Sequence, residues 1–321
     1  MNPTFTRRRL VAASGLAAAA SLARPARAAG PNLAYLTPGL DLPFWRVLAK
    51  GIEDTAKAAG GSSTSYDSHN SAQTQLQNAQ DAIARKVDGL LISPTDSSTC
   101  PAVLNLAKRA NIPCVIADIG TTGGDYVSFI ISDNEQGAYG TGKALAAKMK
   151  ARGTNMTVGL VTISLARNNG KARTNGFMKA MDEAGIKQAA LSQMQTYTAD
   201  ETLHFVQDML TAHPDLGGLF VETDQPTLGA LRAISTAHKE NQVMVAAFDG
   251  IPEFVDLIKK GTIVSSGMQQ PYLMGQRSAQ ALLDHLGGKQ VQKEILVPIE
   301  VVTSDNIAQV EPTIRKTVFG E

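Results

Sequence analysis

The chain has 321 residues, enough for a large buried core and more often two domains than one. At 43% hydrophobic and 18% charged it lies in the ordinary soluble globular range, and past residue 28 no apolar run approaches a membrane span. The formal charge is +1, but residues 1–28 hold five arginines and no acids, so the rest carries −4, a balance that argues against nucleic acid or anionic membrane as partner.

The opening stretch, TRRRLVAASGLAAAASLARPARA, has a basic start and a small-residue apolar segment too short to span a bilayer. It closes on Ala26-Arg27-Ala28, which fits signal cleavage, so residues 1–28 are expected to be an export signal peptide. Thr6-Arg7-Arg8-Arg9-Leu10 resembles a twin-arginine export motif, and no cysteine stands at the cleavage point to take a lipid anchor.

From residue 31 onward short apolar runs alternate with longer helical stretches: NLAYLT, VDGLLIS, IPCVIAD, TVGLVTI, LGGLFVE, VMVAAFD and GTIVSSGM. Continuously apolar strands suit a sheet covered on both faces, and strict alternation with helices predicts parallel sheets with right-handed crossovers. About ten or eleven strands is many for one open sheet and natural for two, with the break expected near Ser132-Asp133-Asn134. Cys100 and Cys114 are expected to start a helix and the following strand, at opposite ends of the sheet, and so to be free and buried.

The joint after the first strand is odd. Asp41, Phe44 and Trp45, the last being the only tryptophan, crowd a loop-to-helix junction that needs no large rings. Small polar and acidic residues recur just past the strand ends: Asp41, Asp67, Pro94-Thr95-Asp96, Asp118, Thr223-Asp224 and Asp249-Gly250. Some of these will cap helices, but open parallel sheets bind ligands at the strand carboxyl ends, and a full row beside Phe44, Trp45 and Phe248 points to a site.

Signs of catalysis are missing. GAYGTGKA matches a phosphate-loop pattern but ends in Ala144 where magnesium needs a hydroxyl, and no strand runs into it. The five histidines have no metal spacing, and there is no G-x-S-x-G elbow. No cofactor, metal or catalytic residue is expected.

The strings PFW, DGLLISPTDSS, ANIPCVIAD, ISDNEQG, MLTAHPDL, LGALRAI, AFDGIPE and MQQPYLMG follow one another at family-like spacing. The whole mature chain resembles the periplasmic ribose-binding proteins, the sugar-binding cluster of type I solute receptors of ABC importers. The resemblance implies an α/β fold of two Rossmann-like lobes with parallel sheets, joined by a three-segment hinge. One lobe would be residues 31–132 plus 269–298, the other 133–268 plus 299–321. The sugar would lie between them, stacked on Phe44, Trp45 and Phe248, with its hydroxyls held by Asp118, Asp249 and Gln269. Tyr197 takes the place of another aromatic.

The departures are specific. Where ribose binders have an arginine after the first aspartate this chain has Ile119, and their first-lobe asparagine is Leu42. Their second-lobe arginine is placed at Lys171 and their second-lobe asparagine at Thr223, with Asp41, Asn168 and Asn169 as substitute contacts. Ribose is therefore a poor expectation, and a sugar alcohol, tetrose or deoxy sugar fits at least as well as a pentose or hexose. The resemblance further implies a monomer in the periplasm that serves an inner-membrane ABC permease. The alternative is a periplasmic sensor that signals to a chemoreceptor or histidine kinase. Sugar-responsive repressors share the core but need a DNA-binding headpiece where this chain has its export signal, and a sugar enzyme would show turnover.

Overall fold

The computed structural model describes Met1 and residues 30–321. The expected signal peptide, its twin-arginine motif and its cleavage point fall, but for Met1, outside the described residues.

The first strands and helices are β1 (Asn32–Thr37), α1 (Pro43–Ala58), β2 (Ser62–Asp67), α2 (Ala72–Ala84), β3 (Gly89–Ile92), α3 (Cys100–Arg109), β4 (Cys114–Ala117) and β5 (Phe129–Ser132). A second series follows: α4 (Asn134–Arg152), β6 (Thr157–Thr162), α5 (Asn168–Ala184), β7 (Lys187–Gln193), α6 (Ala199–Ala212), β8 (Gly218–Val221), α7 (Asp224–Thr236), β9 (Met244–Phe248), α8 (Glu253–Lys259) and β10 (Ile263–Met268). The chain ends with α9 (Pro271–Leu286), β11 (Glu294–Val297), β12 (Glu300–Thr303) and α10 (Ile307–Thr317).

These strands form two six-stranded sheets, ordered β11-β5-β4-β3-β1-β2 and β12-β10-β9-β8-β6-β7. The second order repeats the first strand for strand. Every pairing is parallel except β10 with β12. The twelve strands among the described residues exceed the ten or eleven expected. β11 and β12 are separated only by Pro298-Ile299 yet enter different sheets, so linear spacing does not resolve them. The chain passes between sheets three times: at Asp133, at Gln269-Gln270 and at Pro298-Ile299.

Each sheet is apolar on both faces, as helices on both sides require. In β1, Leu33 and Tyr35 enter the core under α1 and α9, while Ala34 and Leu36 enter the core under α2 and α3. In β6, Val158 and Leu160 face α4 and α5, and Val161 faces α6 and α7. Cys100 and Cys114 are free and buried on the α2/α3 side, as their positions at the start of α3 and β4 require.

Three helix starts, those of α2, α4 and α6, are closed by side-chain caps. The Ser71 hydroxyl accepts from Thr74 N (3.2 Å), the Asp133 carboxylate from Gln136 N (3.1 Å) and the Thr198 hydroxyl from Glu201 N (3.2 Å). Glu201 reaches back past the N-cap to accept from Thr196 N at 2.9 Å and Tyr197 N at 3.0 Å, which fixes the turn that carries Tyr197. α1, like six other helices among the described residues, has no side-chain bond at its start, where the N-cap is Leu42.

Helices α1 and α9 approach closely because each has a glycine at the crossing. A Cβ on Gly51 would sit 2.3 Å from Tyr272 O, and one on Gly275 2.1 Å from Leu48 O. Gly275→Ala is expected to destabilise the fold by about 1–3 kcal/mol through overpacking, read as a lower denaturant midpoint at unchanged slope. Gly123→Ala, with nothing within 4 Å of the added carbon, should stay within about 0.5 kcal/mol of the parent.

Candidate functional site

The carboxyl ends of the two sheets meet, and each presents an aspartate at the same point of the repeat. Asp118 follows β4 and Asp249 follows β9. Asp118 N donates to Ile130 O on β5, and Asp249 N donates to Gly267 O on β10, both at 2.9 Å. Both residues are left-handed, with φ of 70° and 60°. Aspartate tolerates this region better than most side chains, but it remains an uncommon conformation and recurs at functional sites.

Around Asp249 the second lobe builds a buried polar cluster. Arg173, with its side chain 3% exposed, donates from Nη1 to Asp249 Oδ2 at 3.2 Å and to Glu222 O at 2.7 Å. Its Nε donates to Asn134 Oδ1 at 2.9 Å, and its guanidinium lies 4.1 Å from the centre of the Phe248 ring. Thr223 Oγ1 donates to Asp249 Oδ2 at 3.3 Å, and Gln269 Nε2 donates to Oδ1 at 2.9 Å. Gln269 sits where the chain crosses between sheets, so it belongs to both halves of the site.

Asp118 is tied to the opposite lobe: Asn169 Nδ2 on α5 donates to its Oδ2 at 2.8 Å. The other oxygen, Asp118 Oδ1, is buried without a hydrogen-bond partner among the described residues, and so is Gln269 Oε1. Unpaired buried acceptors are rare and costly, about 1–3 kcal/mol each, unless a donor arrives from elsewhere. Two of them, set between lobes, suit a guest rich in hydroxyls.

The aromatics divide. Phe44 and Trp45 meet edge to face, 4.7 Å between centres. Trp45, 5% exposed, belongs to the core beneath α1, and Phe44 packs half-buried against that core. Phe44 also lines a cavity of about 40 Å³ with Asp249, Gln269 and Phe319, room for a water rather than a sugar. Phe248 is fully buried, and Tyr197, 8% exposed at φ 59°, accepts from Ser164 N at 3.3 Å. Leu42 touches the apolar clusters of both lobes, and Ile119 is fully buried in the first.

Two of the expected site residues are exposed and stand outside this buried cluster. Lys171 is exposed, and the cation that α5 brings to the cluster is Arg173. The inward stripe of α5 runs Asn169, Arg173, Phe177, and Lys171 sits about 200° around the helix from Asn169. An arginine four residues after an asparagine, on the apolar face, is the signal that identifies it. Asp41 is exposed too, its carbonyl accepting from Arg46 Nη1 at 2.6 Å. Of the other acids in the row, Asp67 accepts from His69 N and Leu40 N and Asp96 from Ser98 N and Thr99 N, so both organise turns.

Burial dominates the electrostatics. It raises Asp118 to about 6, with Arg173 opposing and Asp249 reinforcing the rise. Gln269 also favours the charged form of Asp118, though its geometry falls short of a hydrogen bond. Burial takes Asp224 to about 7, helped by Asp249. Glu222 is raised to about 8, again by burial, against the opposing bond from Thr174 Oγ1 at 2.6 Å and the charge of Arg173. Among the described residues no group of three or more His, Cys, Asp or Glu has a metal-holding arrangement, and no helix is long and apolar enough to cross a membrane.

Residues 33–290 match the family model described as a periplasmic binding protein domain. The chain is 33% identical over 294 residues to the ribose import binding protein of Salmonella typhimurium, covering 91% of this chain and 96% of that one. To the ribose import binding protein of Bacillus subtilis it is 31% identical over 265 residues, 82% and 84% of the two chains. In fold it is similar to a carbohydrate transporter solute-binding protein of Agrobacterium radiobacter in complex with D-arabinose, with a TM-score of 0.83 at 22% identity over 91% and 99% of the chains.

The raised carboxyls set a direction for stability. The folded chain holds protons on Glu222, Asp224 and Asp118 up to pH values near 8, 7 and 6, where the unfolded chain has released them. Their contribution is present in full below pH 4 and is lost as pH rises through 6 to 8. The melting temperature of the ligand-free chain is therefore expected to fall between pH 5.5 and 8.5. Glu222→Gln, which can keep the contacts to Thr174 and Ile163 N, should flatten the upper half of that fall. Calorimetric scans that rise toward pH 8.5 would contradict the assignment.

Proposed function

The chain belongs to the periplasmic binding protein family, and on that premise we propose that it is the exported solute receptor of an ABC importer. It takes one small polyhydroxylated molecule, a monosaccharide or sugar alcohol, between its lobes, residues 31–132 plus 269–298 and 133–268 plus 299–321. The relatives that bear on this are two ribose import binding proteins and, in fold, a carbohydrate transporter solute-binding protein. The observation that carries the reading is a pair of buried acceptors, Asp118 Oδ1 and Gln269 Oε1, that have no donor among the described residues, with Gln269 bonded to the aspartate of the opposite lobe, Asp249.

Chemically the arrangement suits a polyol. Asp118, Asp249 and Gln269 accept from hydroxyls, and charge-assisted bonds of this kind are roughly twice as strong as neutral ones. Arg173, Asn169 and Thr223 hold those acceptors in place and offer donors of their own. Phe44, with Trp45 packed against it, Phe248 and Tyr197 supply ring surface for C–H faces. Leu42 and Ile119 put apolar surface where a ribose binder has donors, so the preferred ligand has a hydroxyl fewer or placed elsewhere. Contacts made by both lobes favour the closed arrangement, and closure is the form a permease reads. Export to the periplasm by way of residues 1–28 completes the proposal.

A thermal-shift screen of the chain from residue 29 onward against pentoses, hexoses, deoxy sugars, tetritols and pentitols should identify a ligand, because binding to the native state raises the melting temperature. Ribose is expected to rank below at least one sugar alcohol or deoxy sugar. Asp249→Asn keeps the shape beside Arg173 and removes one charge-assisted acceptor, and should weaken the best ligand about ten- to hundred-fold in calorimetry. Affinity within twofold of the parent would remove Asp249 from the site, and no shift with any sugar or polyol would overturn the reading itself.

A further inference from the structure

The start of α5 holds the two lobes together through a contact that the ligand cluster does not account for. Arg167 Nε donates to Thr95 O at 2.9 Å, and its Nη2 donates to Asn70 Oδ1 at 2.8 Å. Beside it, Asn168 N donates to Ser97 Oγ at 3.1 Å. All three acceptors lie in the first lobe and all three donors in the second.

Arg167 is 6% exposed and, among the described residues, has no carboxylate within 4 Å of its guanidinium. Asp118 and Asp96 act on it only from a distance, and a buried cation with no carboxylate in contact is unfavourable unless neutral acceptors and aromatic faces replace its water. Here the replacements come from both sides. The ring of Tyr197, in its own lobe, has its centre 4.9 Å from the guanidinium carbon, and the carbonyl and amide oxygens come from the other lobe. Both acceptors are held in advance. Gln75 clamps the main chain before Thr95, donating to Ser93 O at 2.9 Å and accepting from Thr95 N at 3.0 Å. Asn70 stands in a left-handed turn, φ 53°, with its N–H on Pro38 O at 2.6 Å. The first lobe thus presents a preformed socket for one arginine.

We propose that Arg167 is a latch that sets ligand affinity by favouring the closed arrangement of the lobes, through bonds the ligand does not share. It acts as a positioning residue, so its removal weakens every ligand by one factor and leaves their ranking intact. The inference rests on the proposed ligand gap between the lobes, but lobe closure can be measured without any ligand.

Spin labels at Gln80→Cys on α2 and Asp208→Cys on α6, both exposed positions, report the distance between lobes, since Cys100 and Cys114 are buried. In the ligand-free chain Arg167→Ala and Asn70→Ala should each shift the distance distribution to longer values, and the double variant should go little further than either. With the sugars or polyols that stabilise the parent, Arg167→Ala should raise Kd about ten- to hundred-fold, mainly through the off-rate. Distances unchanged in both single variants would overturn the latch, as would a loss confined to one ligand, which would make Arg167 a ligand contact. Asn70→Ala decides the matter if Arg167→Ala does not fold. If no sugar binds the parent, the function proposed above fails while the label distances still test the latch.

Discussion

The arrangement depends on the burial of one cation. Arg173 is withdrawn from water at the centre of the second lobe, and a guanidinium there is tolerable only if charge and hydrogen-bond acceptors surround it. Its partners are Asp249 after β9, the Glu222 carbonyl after β8, and Asn134 at the chain's first passage between sheets, with Phe248 across its face. Each of these lies at a strand end or a crossing. Satisfying the cation therefore fixes the ends of neighbouring strands relative to one another, and with them the position of the carboxylate that faces the other lobe.

The repeat of the fold doubles this device without copying its chemistry. Asp118 and Asp249 occupy equivalent points, take the same left-handed backbone and make the same main-chain bond to the next strand. Their surroundings differ. Asp249 has Arg173, Thr223 and Gln269, whereas Asp118 is followed by Ile119, and its bonded partner is Asn169 of the opposite lobe. Both oxygens of Asp249 are bonded, one of them to Gln269 at the crossing between sheets, whereas Asp118 keeps one oxygen without a partner among the described residues. Leu42, at the start of α1, packs against the cores of both lobes in the same region.

How much of the site could be read from one sequence differs residue by residue. The row of polar residues after the strands was visible, because strand ends are legible from hydrophobic runs. What each member does was not, since Asp67 and Asp96 organise turns while Asp118, Asp224 and Asp249 are buried. A carboxylate that accepts local N–H groups and one aimed across a gap look alike in a string of letters. Register on a helix was the other weak point. Placing the second-lobe cation at Lys171 rather than Arg173 shifts it by two residues, enough to turn it from the core to solvent.

By itself the sequence determined the class of fold, two parallel α/β units built from alternating apolar runs and helices, because strand and helix periodicities are local and survive in the linear order. It also determined that the acids stand at strand carboxyl ends and that both thiols stay free. Only the tertiary structure decided which of those acids are buried, that Arg173 pairs with Asp249, that Arg167 bridges the lobes, and that Gln269 bonds Asp249 from the crossing between sheets. Those facts depend on contacts between residues far apart in the chain, where burial and distance, not neighbouring letters, set which polar groups must find each other.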